Sequence, residues 1–139
     1  MIEMKEYVLD ANAVIRYLVT GPGIETLDRV FAQAQRGDAA VTISVVNRGE
    51  ALYVLAKRVG MLAAIEAFRT LGHFIESVDV NEQFATEAAT LKFSYKLGYA
   101  DCFAAILAIR RGATLVTADP DFAKLGKLVK ILSLPRHKI

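Results

Sequence analysis

Short apolar segments that suit β-strands alternate with helical segments, and this alternation constrains the fold more than any other feature of the chain. The strand-like segments lie at 7–9, 39–43, 74–80, 113–117 and 128–132. Between them, apolar residues recur at helical spacing over 11–19, 25–35, 45–59, 61–71, 82–95 and 100–111. Strands that alternate with helices build a parallel sheet covered by helices on both faces. The 139 residues therefore predict one α/β domain over 1–139.

The composition is that of a globular protein with a well-filled interior. Hydrophobic residues make up 54% of the chain, which argues against disorder. The longest apolar run, at 103–109, is far shorter than the ~20 residues that a membrane span requires. The segment MIEMKEYVLD has no basic stretch followed by an apolar one, so no secretory signal is expected. We therefore expect a soluble, cytoplasmic protein without a membrane partner.

The single cysteine, Cys102, excludes an intramolecular disulfide and a cysteine-based zinc site. It lies in the segment 100–111, which is apolar on most sides and should form a deeply buried helix. Cys102 is therefore expected to be a small core residue.

The net charge of +2 is too small to imply nucleic-acid binding by itself. All charged residues of the segment 122–139 are nevertheless basic: Lys124, Lys127, Lys130, Arg136 and Lys138. This segment is either an ordinary solvated edge or a basic rim that meets phosphates. The same two alternatives apply to Arg16, Lys92 and Lys96.

Acidic residues follow two of the predicted strands directly. Asp10 ends the first strand in VLDAN, and Asp119 follows the fourth in LVTAD. Parallel sheets bind ligands beyond the carboxyl ends of their strands, where the strand order reverses. If these two strands are neighbours at that point, the two carboxylates meet in one crevice. Glu50, in the helix after the second strand, and Asp101, at the start of the deep helix, can reach the same crevice.

Each of these acids also has a purely structural explanation. Asp10, and Asp119 before Pro120, are well suited to cap helices. Asp101 could cap a helix or compensate its dipole, and Glu50 could be an exposed helical residue. As a group, however, four acids at one sheet edge would repel each other unless they shared protons or bound a cation.

A hard divalent cation suits a site built from carboxylates. Mg²⁺ prefers oxygen ligands and keeps several waters, and Mn²⁺ could replace it. Zinc more often takes His or Cys, and His73 and His137 lie far from these acids in the sequence. Carboxylate sites of this kind serve in-line phosphoryl displacement, in which the ions activate water and stabilise the leaving oxygen.

Other mechanisms are less compatible with the sequence. No histidine is placed for a Ser-His-Asp or Cys-His arrangement, and neither GxxxxGK[ST] nor GxGxxG is present. The motif Asp10-Ala11-Asn12 holds one acid, which argues against a phosphatase built on an Asp-x-Asp pair.

Taken together, these motifs resemble the PIN-domain ribonucleases, and within them the VapC-type toxins of bacterial and archaeal toxin–antitoxin pairs. The similarity covers nearly the whole chain and is carried by YVLDANAVIRYL, SVVNRGEALYVLAKR and LGYADCFAAILAIRRGATLVTADPDFAKL. The most specific part is an Asp that opens an Ala-rich helix, followed after a strand by T-x-D-x-[DE]-F.

The resemblance implies a catalytic and metal-binding quartet of Asp10, Glu50, Asp101 and Asp119. It also implies that Asn12 and Thr117 orient ligands or waters around Mg²⁺. Asp121 is either an outer ligand to a metal-bound water or a residue that caps and charges the short helix after it.

The same resemblance implies a five-stranded parallel sheet in the order 3-2-1-4-5, a homodimer, and a separately encoded VapB-type antitoxin that covers the site. The leading hypothesis is a Mg²⁺-dependent endoribonuclease that acts as a toxin and cleaves RNA to 5′-phosphate and 3′-hydroxyl ends.

Two other functions remain open on the sequence. A receiver-like signalling domain needs a phosphoacceptor Asp at the end of the third strand and a Lys after the fifth. Here the third strand ends in Asp79-Val80, and Ser133-Leu134-Pro135 follows the fifth. The other alternative is a PIN-like binding module that keeps its acids only to bind a metal or a partner.

Overall fold

A five-stranded parallel sheet forms the centre of the protein, whose computed structural model describes residues 4–135. Its strands are β1 (Lys5–Leu9), β2 (Ala39–Ser44), β3 (Glu76–Val78), β4 (Thr114–Thr117) and β5 (Lys130–Ser133). They are ordered β3-β2-β1-β4-β5, and Val8 of β1 pairs with Thr42 of β2 and with Leu115 of β4. The predicted fold class and strand order are confirmed.

The predicted bounds of three strands were wrong by two residues or more: β1 begins at Lys5, before the predicted 7, and both edge strands also differ. β3 is confined to Glu76–Val78, within the predicted 74–80, and β5 begins at Lys130, after the predicted 128. Both strands lie at an edge and are only partly covered. Because such strands need no continuous apolar run, the pattern of apolar residues marks their ends poorly.

Helices fill both faces of the sheet. They are α1 (Ala11–Leu18), α2 (Ile24–Gln35), α3 (Val45–Val59), α4 (Met61–Leu71), α5 (Glu82–Tyr95), α6 (Tyr99–Arg111) and a 3₁₀ segment (Pro120–Leu128). Three α-helices begin at side chains that accept a backbone N–H, namely Asp10, Ser44 and Asn81. Within residues 4–135, we find no helix long and apolar enough to cross a membrane.

The sheet separates two hydrophobic clusters because successive strand residues point to opposite faces. Leu9 belongs to the cluster packed by α1 to α4, whereas its neighbour Val8 belongs to the cluster packed by α5, α6 and the 3₁₀ segment. Both side chains are completely buried. The centre of β1 is therefore buried on both faces, as expected of an inner strand in a parallel sheet.

Helix α6 is buried along most of its length, as its apolar sequence predicted. Residues 102–108 are all buried against the second cluster. Burial raises the pKa of the Cys102 thiol, so this side chain is held neutral in the core, as expected for a structural cysteine.

The order of the strands reverses at the boundary between β1 and β4, and this geometry creates a crevice at their carboxyl ends. The receiver-type order is 2-1-3-4-5 and differs from the order found here. In the basic C-terminal segment, Lys124, Lys127 and Lys130 are exposed, while Arg136 and Lys138, and also His137, lie outside the described residues.

Candidate active site

All four predicted acids line one cavity at the carboxyl end of the sheet. This cavity has a volume of about 750 Å³. We refer to it as the acid cavity; its lining includes Asp10, Asn12, Arg16, Glu50, Arg58, Asp101 and Asp119. Residues that are far apart in sequence meet here because β1 and β4 are neighbours and because α3 and α6 pack together.

Asp10 is the most deeply buried of these acids, with 2% of its surface exposed. One carboxylate oxygen, Oδ1, accepts the backbone N–H of Ala13 at 2.8 Å and so caps α1. The other, Oδ2, accepts the hydroxyl of Thr117. Both oxygens are thus held in a fixed orientation, and the carboxylate still has lone pairs available for a ligand. Asp10 is a helix cap and a cavity residue at the same time.

Thr117 connects Asp10 to Asp119. Its buried hydroxyl oxygen accepts the backbone N–H of Asp119 at 3.0 Å while its proton is donated to Asp10. Asp119 in turn accepts the N–H of Asp121 at 2.9 Å and caps the 3₁₀ segment, with Pro120 following as its first residue. Thr117 therefore fixes the relative positions of two of the acids.

Asp121 lies apart from the acid cavity. It is exposed in the first turn of the 3₁₀ segment and does not line the cavity wall. Its negative charge is nevertheless close enough to raise the pKa of Asp101. This position favours the helix-turn interpretation of Asp121 over direct contact with a ligand.

Asp101 and Glu50 enter the acid cavity from two helices. Asp101 lies in the first turn of α6, where Gly98 is the capping position, so it compensates the helix dipole and does not cap the helix. A Cβ atom at Gly98 would lie 3.0 Å from Oδ2 of Asp101, so glycine leaves room for this carboxylate. Glu50 lies on α3, exposed, with its side chain toward the cavity.

The carboxyls of Asp10 and Asp101 both resist ionisation. Burial raises the pKa of Asp10 to about 6, and the charges of Asp101 and Asp119 act in the same direction. Hydrogen bonds from Thr117 and Ala13 oppose this shift.

For Asp101, burial again raises the pKa to about 6. The charges of Asp119 and Glu50 add to the rise, and Lys92 opposes it. The acid cavity therefore holds more negative charge than its own side chains neutralise, which is the electrostatic condition for binding a cation.

The donor set fits a hard cation that retains water. The acidic residues that line the cavity offer carboxylate oxygens as ligands for a cation, and His73 is not part of the lining. Within residues 4–135, no group of three or more Asp, Glu, His or Cys side chains is arranged to hold a metal ion by itself. Mg²⁺ is commonly bound through one or two carboxylates together with waters and substrate phosphates, so the chemistry of the cavity suits Mg²⁺ or Mn²⁺ better than zinc.

Arg16 forms part of the cavity wall but is already engaged. Its guanidinium donates to Oδ1 of Asn12 at 3.1 Å, to the carbonyl of Pro22 at 3.2 Å and to the carbonyl of Pro135. The side-chain oxygen of Asn12 is thus paired with Arg16. Arg58, which sequence reasoning did not identify, projects from α3 on the same face as Glu50 and lines the cavity as well.

Sequence reasoning also missed a buried polar pair beside the acids. The Ser44 hydroxyl donates to Oδ1 of Asn47 at 2.5 Å, and Nδ2 of Asn47 donates to the carbonyl of Ala100 at 2.9 Å. Asn47 is completely buried and ties the start of α3 to the turn that carries Asp101. The available signal was a Ser and an Asn three residues apart, directly after a buried strand and before Glu50.

Replacing Asn47 by Ala is expected to lower the free energy of unfolding by about 1–3 kcal/mol, because the Ala100 carbonyl loses its buried partner. If the acid cavity is the site of the expected RNA cleavage, the cleavage rate should also fall by about 10–100-fold, since residues that orient metal ligands have effects of that size. Urea unfolding measures the first effect. Gln83→Ala, at an exposed site on α5, is the control, and equal stability of both variants would contradict this role for Asn47.

The metal-free protein is expected to become more stable as the pH falls from about 7 toward about 5. Asp10 has a pKa of about 6 when folded, against an ordinary value of 3.8. Above the folded pKa the carboxyl is ionised in both states, so its burial opposes folding. Between the two values only the folded state takes up the proton, and this uptake stabilises it by up to about 3 kcal/mol.

Urea unfolding in the presence of a chelator measures this dependence. Asp10→Asn should be more stable than the parent protein near neutral pH and should show a flatter pH profile, because Asn cannot ionise and still caps α1. A parent protein whose stability falls as the solution is acidified through this range would contradict the assignment.

Comparison with known proteins agrees with this architecture. The sequence model of the family described as "PIN domain" matches residues 7–128. A search of curated proteins finds no significant match. Among solved structures, VapBC2 from Rickettsia felis, bound to a DNA fragment from its promoter, aligns with a TM-score of 0.75 at 19% identity, over 93% of this chain and 98% of that one.

Two further structures are similar. VapC20 from Mycobacterium tuberculosis, described as a sarcin-ricin loop cleaving toxin, aligns with a TM-score of 0.71 at 18% identity, over 86% of this chain and 95% of that one. PAE2754 from Pyrobaculum aerophilum aligns with a TM-score of 0.67 at 19% identity, over 94% and 92%. At these identities the likeness establishes a shared fold.

Proposed function

The chain belongs to the PIN domain family, and from this premise we propose that it is a Mg²⁺-dependent endoribonuclease that acts as the toxin of a VapBC-type pair. The observation that carries the proposal is the convergence of Asp10, Glu50, Asp101 and Asp119 on one cavity. Similarity in fold to VapC20, described as a toxin that cleaves the sarcin-ricin loop, supports RNA as the substrate.

In the proposed site, Asp10, Asp101 and Asp119 would hold the cation in part through its waters, and Glu50 would complete the set directly or through water. A divalent cation bound there, with Mn²⁺ able to replace Mg²⁺, supplies charge neutralisation and an activated water for in-line attack on a phosphodiester. Thr117 holds the Asp10 carboxylate in orientation, so that binding requires little rearrangement.

The basic residues of the cavity have separate roles in this proposal. Arg16 is held by its three acceptors and maintains the shape of the wall. Arg58 faces the cavity from α3 and is placed to contact a phosphate of the RNA backbone. Attack by water in place of the ribose 2′-hydroxyl forms no 2′,3′-cyclic phosphate. With the 3′ oxygen as the leaving group, the products carry 5′-phosphate and 3′-hydroxyl ends.

The proposed partners are a VapB-type antitoxin and a second copy of the chain. Structural similarity to VapBC2 supports the antitoxin. Exposed apolar residues near the junction of α3 and α4 are suited to a homodimer interface: Tyr53, Val59, Met61, Leu62 and Ile65. The whole chain, 1–139, would act as one PIN domain in the cytoplasm.

The test is cleavage of RNA by the wild-type protein and by Asp101→Asn, followed by analysis of the product ends. We expect 5′-phosphate products from the wild type and none above background from the variant. Equal cleavage by both proteins would contradict the proposal. Metal binding without any cleavage would favour a binding module in place of a nuclease.

A further inference from the structure

A second cavity, unlike the acid cavity, combines exposed aromatic rings with lysines. It has a volume of about 660 Å³ and lies where α5 ends and α6 begins. We refer to it as the aromatic–lysine cavity; it is lined by Ala89, Lys92, Phe93, Lys96 and Tyr99. The proposed catalytic chemistry uses none of these side chains.

The aromatic rings of this cavity are presented to solvent. Phe93 is 89% exposed, more than any other large hydrophobic residue in the described part of the chain. Tyr99 is 45% exposed and held rigidly, because its ring packs edge-on against Phe103 at a centroid distance of 5.0 Å. Exposed rings on a rigid support are suited to stack with a flat ligand.

The lysines give the cavity a positive charge. Lys92 and Lys96 are both exposed, and no acidic residue belongs to the lining. Lys96 ends α5 with a left-handed backbone, at φ 58°, which turns the chain sharply at the cavity. A ligand that offers both a ring to stack and a negative charge nearby would satisfy the rings and the lysines together.

The aromatic–lysine cavity is joined to the acid cavity through a short stretch of chain. Nζ of Lys92 donates to the carbonyl of Leu97 at 2.8 Å, in the turn that leads into α6. Tyr99 precedes Asp101 by two residues in the first turn of that helix. Because side chains two residues apart do not share a face of a helix, an RNA strand that occupies both cavities passes around the first turn of α6.

We propose that the aromatic–lysine cavity binds an unpaired nucleobase of the RNA whose scissile phosphodiester lies in the acid cavity. This inference rests on the proposed ribonuclease function and adds a substrate-binding residue to it. Phe93 provides the main stacking surface, Tyr99 its second wall, and the lysines contact the flanking phosphates. Stacking on aromatic rings tolerates any base, so the site selects single-stranded RNA over duplex.

A second protein copy fits this surface less well than RNA does. In a two-fold interface centred on Phe93, Lys92 and Lys96 of one copy would face the same residues of the other copy. Such like-charge contacts oppose association. The exposed apolar residues at the junction of α3 and α4 offer an alternative surface for self-association.

Phe93→Trp provides a direct reporter of stacking, since the chain contains no tryptophan. Titration with a short single-stranded RNA of mixed sequence should quench its emission. An Asp10→Asn background prevents cleavage during the titration. Met4→Trp, at a site that is 52% exposed just before β1 and at the end of that strand away from Asp10, is the matched control and should not be quenched. Equal quenching in both proteins, or none in either, would overturn the proposal.

Affinity measurements complete the test. In the same background, Phe93→Ala should bind this RNA at least about fivefold more weakly, whereas Phe93→Trp should bind as the parent does. Lys96→Ala should reduce the slope of log K for RNA binding against log salt concentration by about one. Lys5→Ala, at the end of β1 away from Asp10, should leave this slope unchanged.

Analytical ultracentrifugation of each variant separates stacking from self-association. If Phe93→Ala changed only the monomer–dimer equilibrium and left RNA affinity unaltered, the cavity would be an interface between copies and the proposal would be wrong. Failure of the ribonuclease function is recognised separately, because wild-type protein would then cleave no RNA whatever the binding results.

Discussion

Asp10→Asn should reduce RNA cleavage by at least about a hundredfold while the protein stays folded, because the variant removes one negative charge from the centre of the proposed cation site. Asn has the same shape, keeps an oxygen to accept the Ala13 N–H, and can still pair with Thr117. The structural functions of Asp10 are therefore preserved while its charge is lost. Single-turnover cleavage assays measure the effect directly.

The matched control is Asp38→Asn. Asp38 is exposed and pairs with Arg36 at 3.2 Å on the surface, so neutralising it removes a charge of the same type away from the acid cavity. Its cleavage rate should equal that of the wild type. If Asp10→Asn also cleaved at the wild-type rate, Asp10 would be only a helix cap, and the catalytic assignment would fail.

Phe122→Ala should lower the free energy of unfolding by about 3–5 kcal/mol, the largest loss of stability that we expect from a single substitution. Phe122 is completely buried in the cluster formed with α5 and α6. It anchors the 3₁₀ segment whose first N–H group, that of Asp121, is accepted by Asp119. Truncating the ring leaves a cavity in the core and frees the loop that carries this acid.

Urea unfolding gives the magnitude, and Leu128→Ala serves as the control. Leu128 lies on the same 3₁₀ segment but is 50% exposed, so its truncation should cost less than about 1 kcal/mol. Equal effects of the two substitutions would show that Phe122 does not anchor this segment.

The inner part of the sheet was predictable because burial on both faces leaves a continuous apolar run, as at Tyr7-Val8-Leu9. The edge strands β3 and β5 were misplaced because half-exposed strands have no such run. The strand order came from the resemblance to a family, since residue patterns along one chain do not show which strands are neighbours.

Asp10 and Asp119 were identified because they follow strands, and strand ends in a parallel sheet meet at one edge. Glu50 and Asp101 lie in helices, and their place in the quartet came from the resemblance to the family. The hydrogen bonds that support the cavity were not all predictable from the sequence. The hydrogen bond from Asn47 to Ala100 joins residues 53 positions apart, and that from Arg16 to Pro135 joins residues 119 apart. Such contacts depend on how helices pack, which local patterns do not specify.

For two residues, capping a helical segment and lining the acid cavity are compatible. Asp10 and Asp119 each cap the segment that follows them and also line the acid cavity. Asp101, by contrast, does not cap its helix, because Gly98 occupies that position. Local helix chemistry thus explains where these acids sit, and the tertiary fold explains why they meet.

The dependence of RNA cleavage on a divalent cation tests the proposed role of the acid cavity more directly than any other measurement. Wild-type protein should cleave RNA in Mg²⁺, lose this activity in EDTA, and recover it when Mg²⁺ is restored in excess, because the cation offsets the negative charge gathered in the acid cavity. Cleavage that continues unchanged in EDTA would contradict a metal-dependent site in the acid cavity. Asp10→Asn and Asp101→Asn variants that cleave RNA as fast as the wild type would contradict it as well.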